Sequence, residues 1–109
     1  MNLLTMHCEP QLGQKPLDAA TQSTLLANLP GWQIVGHELV KTFTFADYYR
    51  TIAFVNALAW VANQEDHHPD LSVHYNRSVV HFSTHDAGGL TLNDFICAAK
   101  AEALQPAGA

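Results

Sequence analysis

Positive charge is scarce in this chain. Five lysines and arginines stand against ten aspartates and glutamates in 109 residues, a net charge of −5. The few cations are scattered, so no basic stripe exists to neutralise a phosphate backbone, and nucleic acid is excluded as a partner. A membrane surface is disfavoured on the same ground. Long hydrophobic runs are missing too: the longest, Ile52 to Ala62, is interrupted by Asn56 and falls short of a membrane span. The start, Met1-Asn2-Leu3-Leu4-Thr5, lacks the basic residues and apolar stretch of a signal peptide, and a cytoplasmic location is expected. Cys8 and Cys97 are the only cysteines, and neither sits in a CxxC pair. Free thiols in a reducing cytoplasm are the simplest reading, with a single bridge between the N-terminal arm and the last helix as the alternative. There is no HxH, HExxH or GxSxG, and Gly88-Gly89 lacks the lysine of a phosphate loop.

What is present fits one soluble domain. The composition, 48% hydrophobic and 14% charged, supports a single core, and the length is too small for two. Residues 1–16 carry Pro10, Gly13 and Pro16 with little periodicity and read as a loosely held arm, leaving 17–105 as the domain. An amphipathic helix is expected from Leu17, started by Asp18 or Thr21, burying Leu25, Leu26 and Leu29 and stopped by Pro30-Gly31. Two short β-runs follow, Trp32 to Val35 and Leu39 to Phe45, broken at Gly36. Asp47 caps the longest helix, which runs to about Glu65 on a stripe of Ile52, Val55, Leu58, Ala59 and Ala62. Pro69 disfavours helical geometry at His68 and ends it there. Leu71 to Tyr75 and Val79 to Thr84 read as strands turning at Asn76-Arg77. Thr91-Leu92-Asn93-Asp94 then resembles a capping box, with Asp94 in place of the usual Glu, for a last helix that Pro106 ends. The order α-β-β-α-β-β-α predicts an α+β fold: a four-stranded antiparallel sheet with helices packed on one face. Its exposed edges favour pairing between identical chains.

Seven histidines are spread along this frame. His7 in the arm and His37 in a turn read as solvated. His74 and His81 lie in strands, where a polar side chain on the open face is ordinary. His81 shares a face with Val79 and Ser83, and with His85 if that strand continues straight. Asp66-His67-His68-Pro69-Asp70 differs, because it joins a helix end to a strand start, where side chains can point into a cleft. Imidazole gives or takes a proton near neutral pH, and Glu65, Asp66 or Asp70 could fix a tautomer or favour the charged form. Adjacent imidazoles oppose double protonation, so one can act as acid while the other stays neutral. Zinc held by His67, His85 and Asp70 is the rival reading, against which the usual ligand spacings are absent. Cys97, on an apolar helical face, reads as a buried inert thiol.

These residues also carry a family resemblance. Asn63 to Asp94 resembles the pterin-4a-carbinolamine dehydratases, known in animals also as a dimerisation cofactor of a homeodomain transcription factor. The family pattern has a charged residue, three residues, His, His or Asn, and Pro; then an aromatic, a histidine and an aspartate at set intervals. Here His67-His68-Pro69 match, Tyr75 follows after five residues, His85 after nine more and Asp94 after another eight. Ser83-Thr84-His85-Asp86, Gly89-Leu90 and Trp32 after the first helix look similar, so the resemblance extends over about 17–104. Asn63 departs, standing where the pattern has a charged residue.

The resemblance implies loss of water from 4a-hydroxytetrahydropterin, the product of aromatic amino acid hydroxylation, to give quinonoid dihydropterin. It implies His67 and His85 as general acid and base, with His68 binding or orienting substrate. Asp86, and after it Asp66, would accept the amino group and ring NH of the pterin as two parallel hydrogen bonds. Ser83 and Thr84 would bond its other edge. Asp94 is assigned to structure by its capping-box position. No cofactor is implied, since eliminating water changes no oxidation state. A homodimer or homotetramer is implied, with an aromatic amino acid hydroxylase as a candidate partner. A dimeric protein-binding module without catalysis, or a His-ligated metal hydrolase, are the alternatives.

Overall fold

The computed structural model describes residues 2–10 and 13–105. Met1 and residues 11–12 of the expected arm lie outside the described residues, as does Pro106, the expected end of the last helix. Three helices and four strands follow in the expected order: α1 Ala19–Leu26, β1 Gln33–Val35, β2 Glu38–Thr44, α2 Tyr48–Glu65, β3 Asp70–Val73, β4 Arg77–Phe82 and α3 Leu92–Glu102. Short 3-10 turns occupy Leu3–Thr5 and His85–Ala87. The sheet is antiparallel throughout with strand order β1-β2-β4-β3. The fold is α+β, as the sequence pattern predicts.

Local chemistry explains each boundary. Asp18 accepts the Thr21 N–H at 2.8 Å and starts α1, while Gly31, at φ +85°, turns the chain after it. Gly36, at φ +60°, takes the first turn position between β1 and β2, where a side chain would be strained. Asp47 accepts the Arg50 N–H at 2.9 Å and caps α2. The far end of α2 closes on Asp66 in the left-handed region, φ 51°, with the His67 N–H donating to the Ala62 carbonyl at 3.1 Å.

The core forms between α2, α3 and the sheet face of Leu39, Phe43, Val80 and Phe82. Leu39 pairs with Phe82 and Phe43 with Ser78 across β2 and β4, which sets the apolar side chains of both central strands on one face. Phe54 from α2 lies 4.6 Å from Phe43 and 5.1 Å from Phe45, ring to ring. Phe43 also meets Trp32 edge-on at 5.9 Å.

The buried stripe of α2 is rotated from the expected one. Thr51, Phe54, Leu58 and Ala62 are buried, Ile52 and Val55 half-buried, and Ala59 exposed. Thr51 can be buried because its hydroxyl donates to the carbonyls of Asp47 and Tyr75, tying the start of α2 to the β3–β4 turn. Strand ends also shift. β3 stops at Val73, where the His74 N–H donates to the Arg77 carbonyl across a turn. β4 stops at Phe82, so the expectation that His85 continues the face of His81 is overturned: Thr84 turns inward and the chain enters the 3-10 turn.

Phe43→Ala removes a ring fixed on two sides by aromatics. It should cost about 3–5 kcal/mol of stability, read as a lower urea midpoint with an unchanged slope.

Candidate active site

α2 ends at Glu65, two residues before His67, and this placement governs the site. Asp66 in the left-handed conformation reverses the chain and directs His67 inward, while Pro69 keeps the helix from resuming. The His67 ring is 1% exposed and lies parallel to Phe82, 10° between planes and 6.1 Å between centroids. Its Nε2 is 2.7 Å from Oδ1 of Asp94, which is fully buried on α3. With the aspartate accepting, Nε2 carries the proton, and the pair fixes both tautomer and orientation of the imidazole.

Asp94 does several things at once. Its Oδ2 accepts the Thr91 N–H at 2.9 Å, which makes the expected capping box of α3. The same oxygen accepts the Thr84 hydroxyl at 2.8 Å, and the Thr84 and Thr91 hydroxyls are 2.9 Å apart. The assignment of Asp94 to structure was therefore incomplete, since it caps a helix and also holds His67. Thr84 differs from expectation in a related way. Its hydroxyl is committed to the interior, leaving only its backbone for an outside ligand.

The other expected site residues surround this buried pair in two concavities. Asp66, His68 and Asp86 line a cleft of about 550 Å³ together with Cys8, Glu9, Pro10, Gln64 and Glu65. Ser83, Thr84 and His85 line a smaller hollow of about 170 Å³ with His37, Glu38, Gly88 and Gly89. His68, His85 and Asp86 are exposed, and the Ser83 hydroxyl is 3.3 Å from His85 Nε2. His85 and Asp86, consecutive in the 3-10 turn, each line one of the two concavities. His67 connects them from within: its chain neighbours line the first, and Thr84, bonded to its partner, lines the second. His67 is buried, whereas His68 and His85 are exposed and line different concavities, so the three histidines do not share one open pocket.

Glu65 and Asp70 do not serve the histidines as expected. Asp70 starts β3 and faces a separate shallow concavity with Glu38 and His81. Glu65 instead anchors the arm. It accepts the Cys8 N–H at 2.7 Å, lies 2.9 Å from His7 Nδ1, and has Lys100 at 3.6 Å. Nearby, the Asn93 side chain accepts the Glu9 N–H and donates to the Glu9 carbonyl. These bonds make the arm one wall of the larger cleft, which the Pro- and Gly-containing composition did not suggest. Asn63, the departure from the family pattern, is an exposed residue in the last turn of α2, and its carbonyl accepts the Asp66 N–H. Among the described residues, no three His, Cys, Asp or Glu side chains are grouped to hold a metal ion. No helix among them is long and apolar enough to cross a membrane.

Known proteins resemble this chain over most of its length. Residues 15–104 match the family model described as pterin 4 alpha carbinolamine dehydratase. A Chromobacterium violaceum protein, provisionally designated pterin-4-alpha-carbinolamine dehydratase, is 72% identical over 104 residues, 95% of this chain and 96% of its own. A Xanthomonas campestris protein of the same provisional designation is 59% identical over 101 residues, 90% of this chain and 86% of its own. Among solved structures, the transcriptional coactivator/pterin dehydratase of Brucella melitensis superposes with a TM-score of 0.80 at 32% identity, covering 83% of this chain and 98% of that one. A pterin dehydratase-like protein identified as a RuBisCO assembly factor of the alpha-carboxysome gives 0.58 at 26% identity, over 67% and 84% of the two chains.

The Glu65 anchor makes the arm pH-sensitive. Burial opposes ionisation of its carboxyl, but the Cys8 N–H, the His7 ring and the charge of Lys100 outweigh it and hold the pKa below the ordinary 4.5. A carboxyl lowered on folding contributes stability above its unfolded value and loses it as pH falls through the folded value. Relative to the intrinsic exchange rate at each pH, hydrogen exchange at the Cys8 amide should therefore accelerate below about pH 4.5. In Glu65→Gln it should be fast already at neutral pH, with no further acid step.

Proposed function

The chain belongs to the pterin-4a-carbinolamine dehydratase family, and from that premise we propose that it eliminates water from 4a-hydroxytetrahydropterin. The product is quinonoid dihydropterin, so the reaction supports recycling of a tetrahydropterin such as tetrahydrobiopterin after aromatic amino acid hydroxylation. The observation that carries this reading is the buried His67–Asp94 pair, flanked by exposed His68 and His85.

The chemistry needs two proton movements. Electron donation from the pterin ring weakens the C4a–O bond, and the departing hydroxyl takes a proton from an imidazolium to leave as water. A neutral imidazole accepts the ring N–H proton that the quinonoid product loses. Positioned proton transfer of this kind contributes roughly 10²–10⁴ in rate. We assign the two transfers to His67 and His85 and substrate orientation to His68. Asp86, on the same cleft as His68, is the first choice to accept the amino and ring N–H pair of the pterin, with Asp66 second. Ser83 and the Thr84 backbone border the hollow beside His85. Asp94 is a positioning residue, acting through His67. No cofactor enters this scheme, and the setting is the cytoplasm.

A second reading, a protein-binding module, draws support from the aromatic side chains that α2 leaves exposed, Tyr48, Tyr49 and Trp60. It also fits the coactivator and assembly-factor descriptions of the two solved relatives. The two readings differ in what the histidines are for. Freshly generated 4a-hydroxytetrahydropterin should be dehydrated well above the buffer rate, and the folded double variant His67→Ala/His85→Ala should fall to the buffer rate. Activity retained in that variant refutes the assignment; no activity in the parent protein moves the choice to the binding module. Asp94→Asn, which can turn an amide N–H toward His67, should lower kcat about 10²-fold or more with little change in KM.

Self-association through the open edges of β1 and β3 forms part of the proposal, as a homodimer or homotetramer. Light scattering on the purified protein should give two or four chain masses; a monomer at micromolar concentration overturns it.

A further inference from the structure

Two thiols that the proposed reaction does not use meet at the wall of the larger cleft. Cys8 belongs to the arm and is half-buried, while Cys97 belongs to α3 and is fully buried. Their sulfurs are 3.5 Å apart across 89 positions of sequence. The contact is held on the arm side by named bonds. The Cys8 N–H donates to Glu65, Glu9 exchanges two hydrogen bonds with Asn93, and the Cys8 Sγ faces the Asn93 carbonyl at 3.7 Å. A disulfide, about 2.0 Å long, requires the sulfurs to close by about 1.5 Å.

We infer that Cys8 and Cys97 form a reversible disulfide that fastens the arm to α3 beside His68 and Asp86. The asymmetry of the pair sets the order of events. Contact with Cys8, followed by burial, pushes the Cys97 thiol up, so Cys97 stays protonated and shielded. Cys8 is the sulfur that an oxidant reaches. With a small-molecule disulfide such as oxidised glutathione, the Cys8 thiolate attacks one sulfur and one glutathione thiolate leaves. Cys97 then attacks the Cys8 sulfur of the mixed disulfide, the second glutathione leaves, and that leaving thiolate takes up the Cys97 proton. Two protein thiols become one disulfide while one glutathione disulfide becomes two glutathione thiols. Such a pair suits a reducing compartment, where disulfides are transient and respond to redox poise.

The full chain is equilibrated in glutathione buffers of graded redox ratio, quenched with acid, and its thiols are counted after denaturation alongside its intact mass. The expected end state is a single chain about 2 Da lighter with no free thiol, restored by dithiothreitol. Cys97→Ser should stop with one glutathione on Cys8, and Cys8→Ser should resist oxidation. In the oxidised protein, exchange of the Cys8 and Glu9 amides should slow roughly tenfold or more. Three outcomes overturn the inference: a wild-type end state that keeps one glutathione and a free Cys97, oxidation of Cys8→Ser as fast as wild type, or a disulfide that leaves arm exchange unchanged. All these readouts are independent of activity, so they stand apart from the dehydratase test.

Discussion

One buried carboxylate holds the functional end of this molecule together. Asp94 completes the N-terminus of α3, receives the hydroxyl of Thr84 just past β4, and pairs with His67 just past α2. The end of α2, the end of β4 and the start of α3 converge on two oxygen atoms. A buried carboxylate is tolerated only when hydrogen bonds replace the water it has lost, and here protein donors do so on both oxygens. Each donor is fixed in return. Thr84 is drawn inward, which ends β4 and throws His85 into a surface turn, and His67 is held flat against Phe82. The exposed placement of His85 and the buried placement of His67 are thus two results of the same anchoring.

Much of this frame is written locally in the sequence. Asp18, Asp47 and Thr91 mark helix starts because a cap needs only an acceptor close to its own N–H targets, within three residues. Pro69 and the left-handed Asp66 mark the end of α2 in the same local way. The strand order also follows from pattern, since short turns force antiparallel neighbours. What pattern misses is contact at long separation. The stripe of α2 is displaced because Phe54 fills the space between Phe43 and Phe45, and because Thr51 finds carbonyl partners that hydrophobicity counting ignores. Asp94 shows the limit most clearly. Its capping role lies within three residues of Thr91, but its bond to His67 spans 27 positions and leaves no periodic trace. The one signal available was the aspartate that closes the family pattern.

The arm belongs to the same class of hidden contact. Its sequence has turn-formers and little periodicity, which describes backbone preference but not what its polar groups meet. Glu65 and Asn93 supply acceptors and donors to the backbone of Cys8 and Glu9, so an irregular segment is held without secondary structure. By its place beside Asp66-His67-His68 in the sequence, Glu65 is a candidate to tune an imidazole of the site. Its carboxylate is instead taken up by Lys100 and the arm. The acidic residue next to the histidines in sequence builds the wall of the cleft, and the one far away in sequence orients the ring.

The energetics of the His67–Asp94 pair bear on why the molecule contains it. Burying an imidazole and a carboxylate removes both from water, and their mutual attraction repays that loss only in part. Apolar residues at both 67 and 94 would leave no buried charge to satisfy, whereas an apolar residue at 67 alone would take from Oδ1 of Asp94 its imidazole donor. A domain whose whole task was to present a surface has no thermodynamic reason to place a titratable ring there. An oriented imidazole with a fixed tautomer is, however, what a proton-transfer reaction requires. The rings of His68 and His85, in contrast, are exposed. The His67–Asp94 pair is thus a weak argument for stability, and its fixed geometry fits the proposed acid–base role of His67.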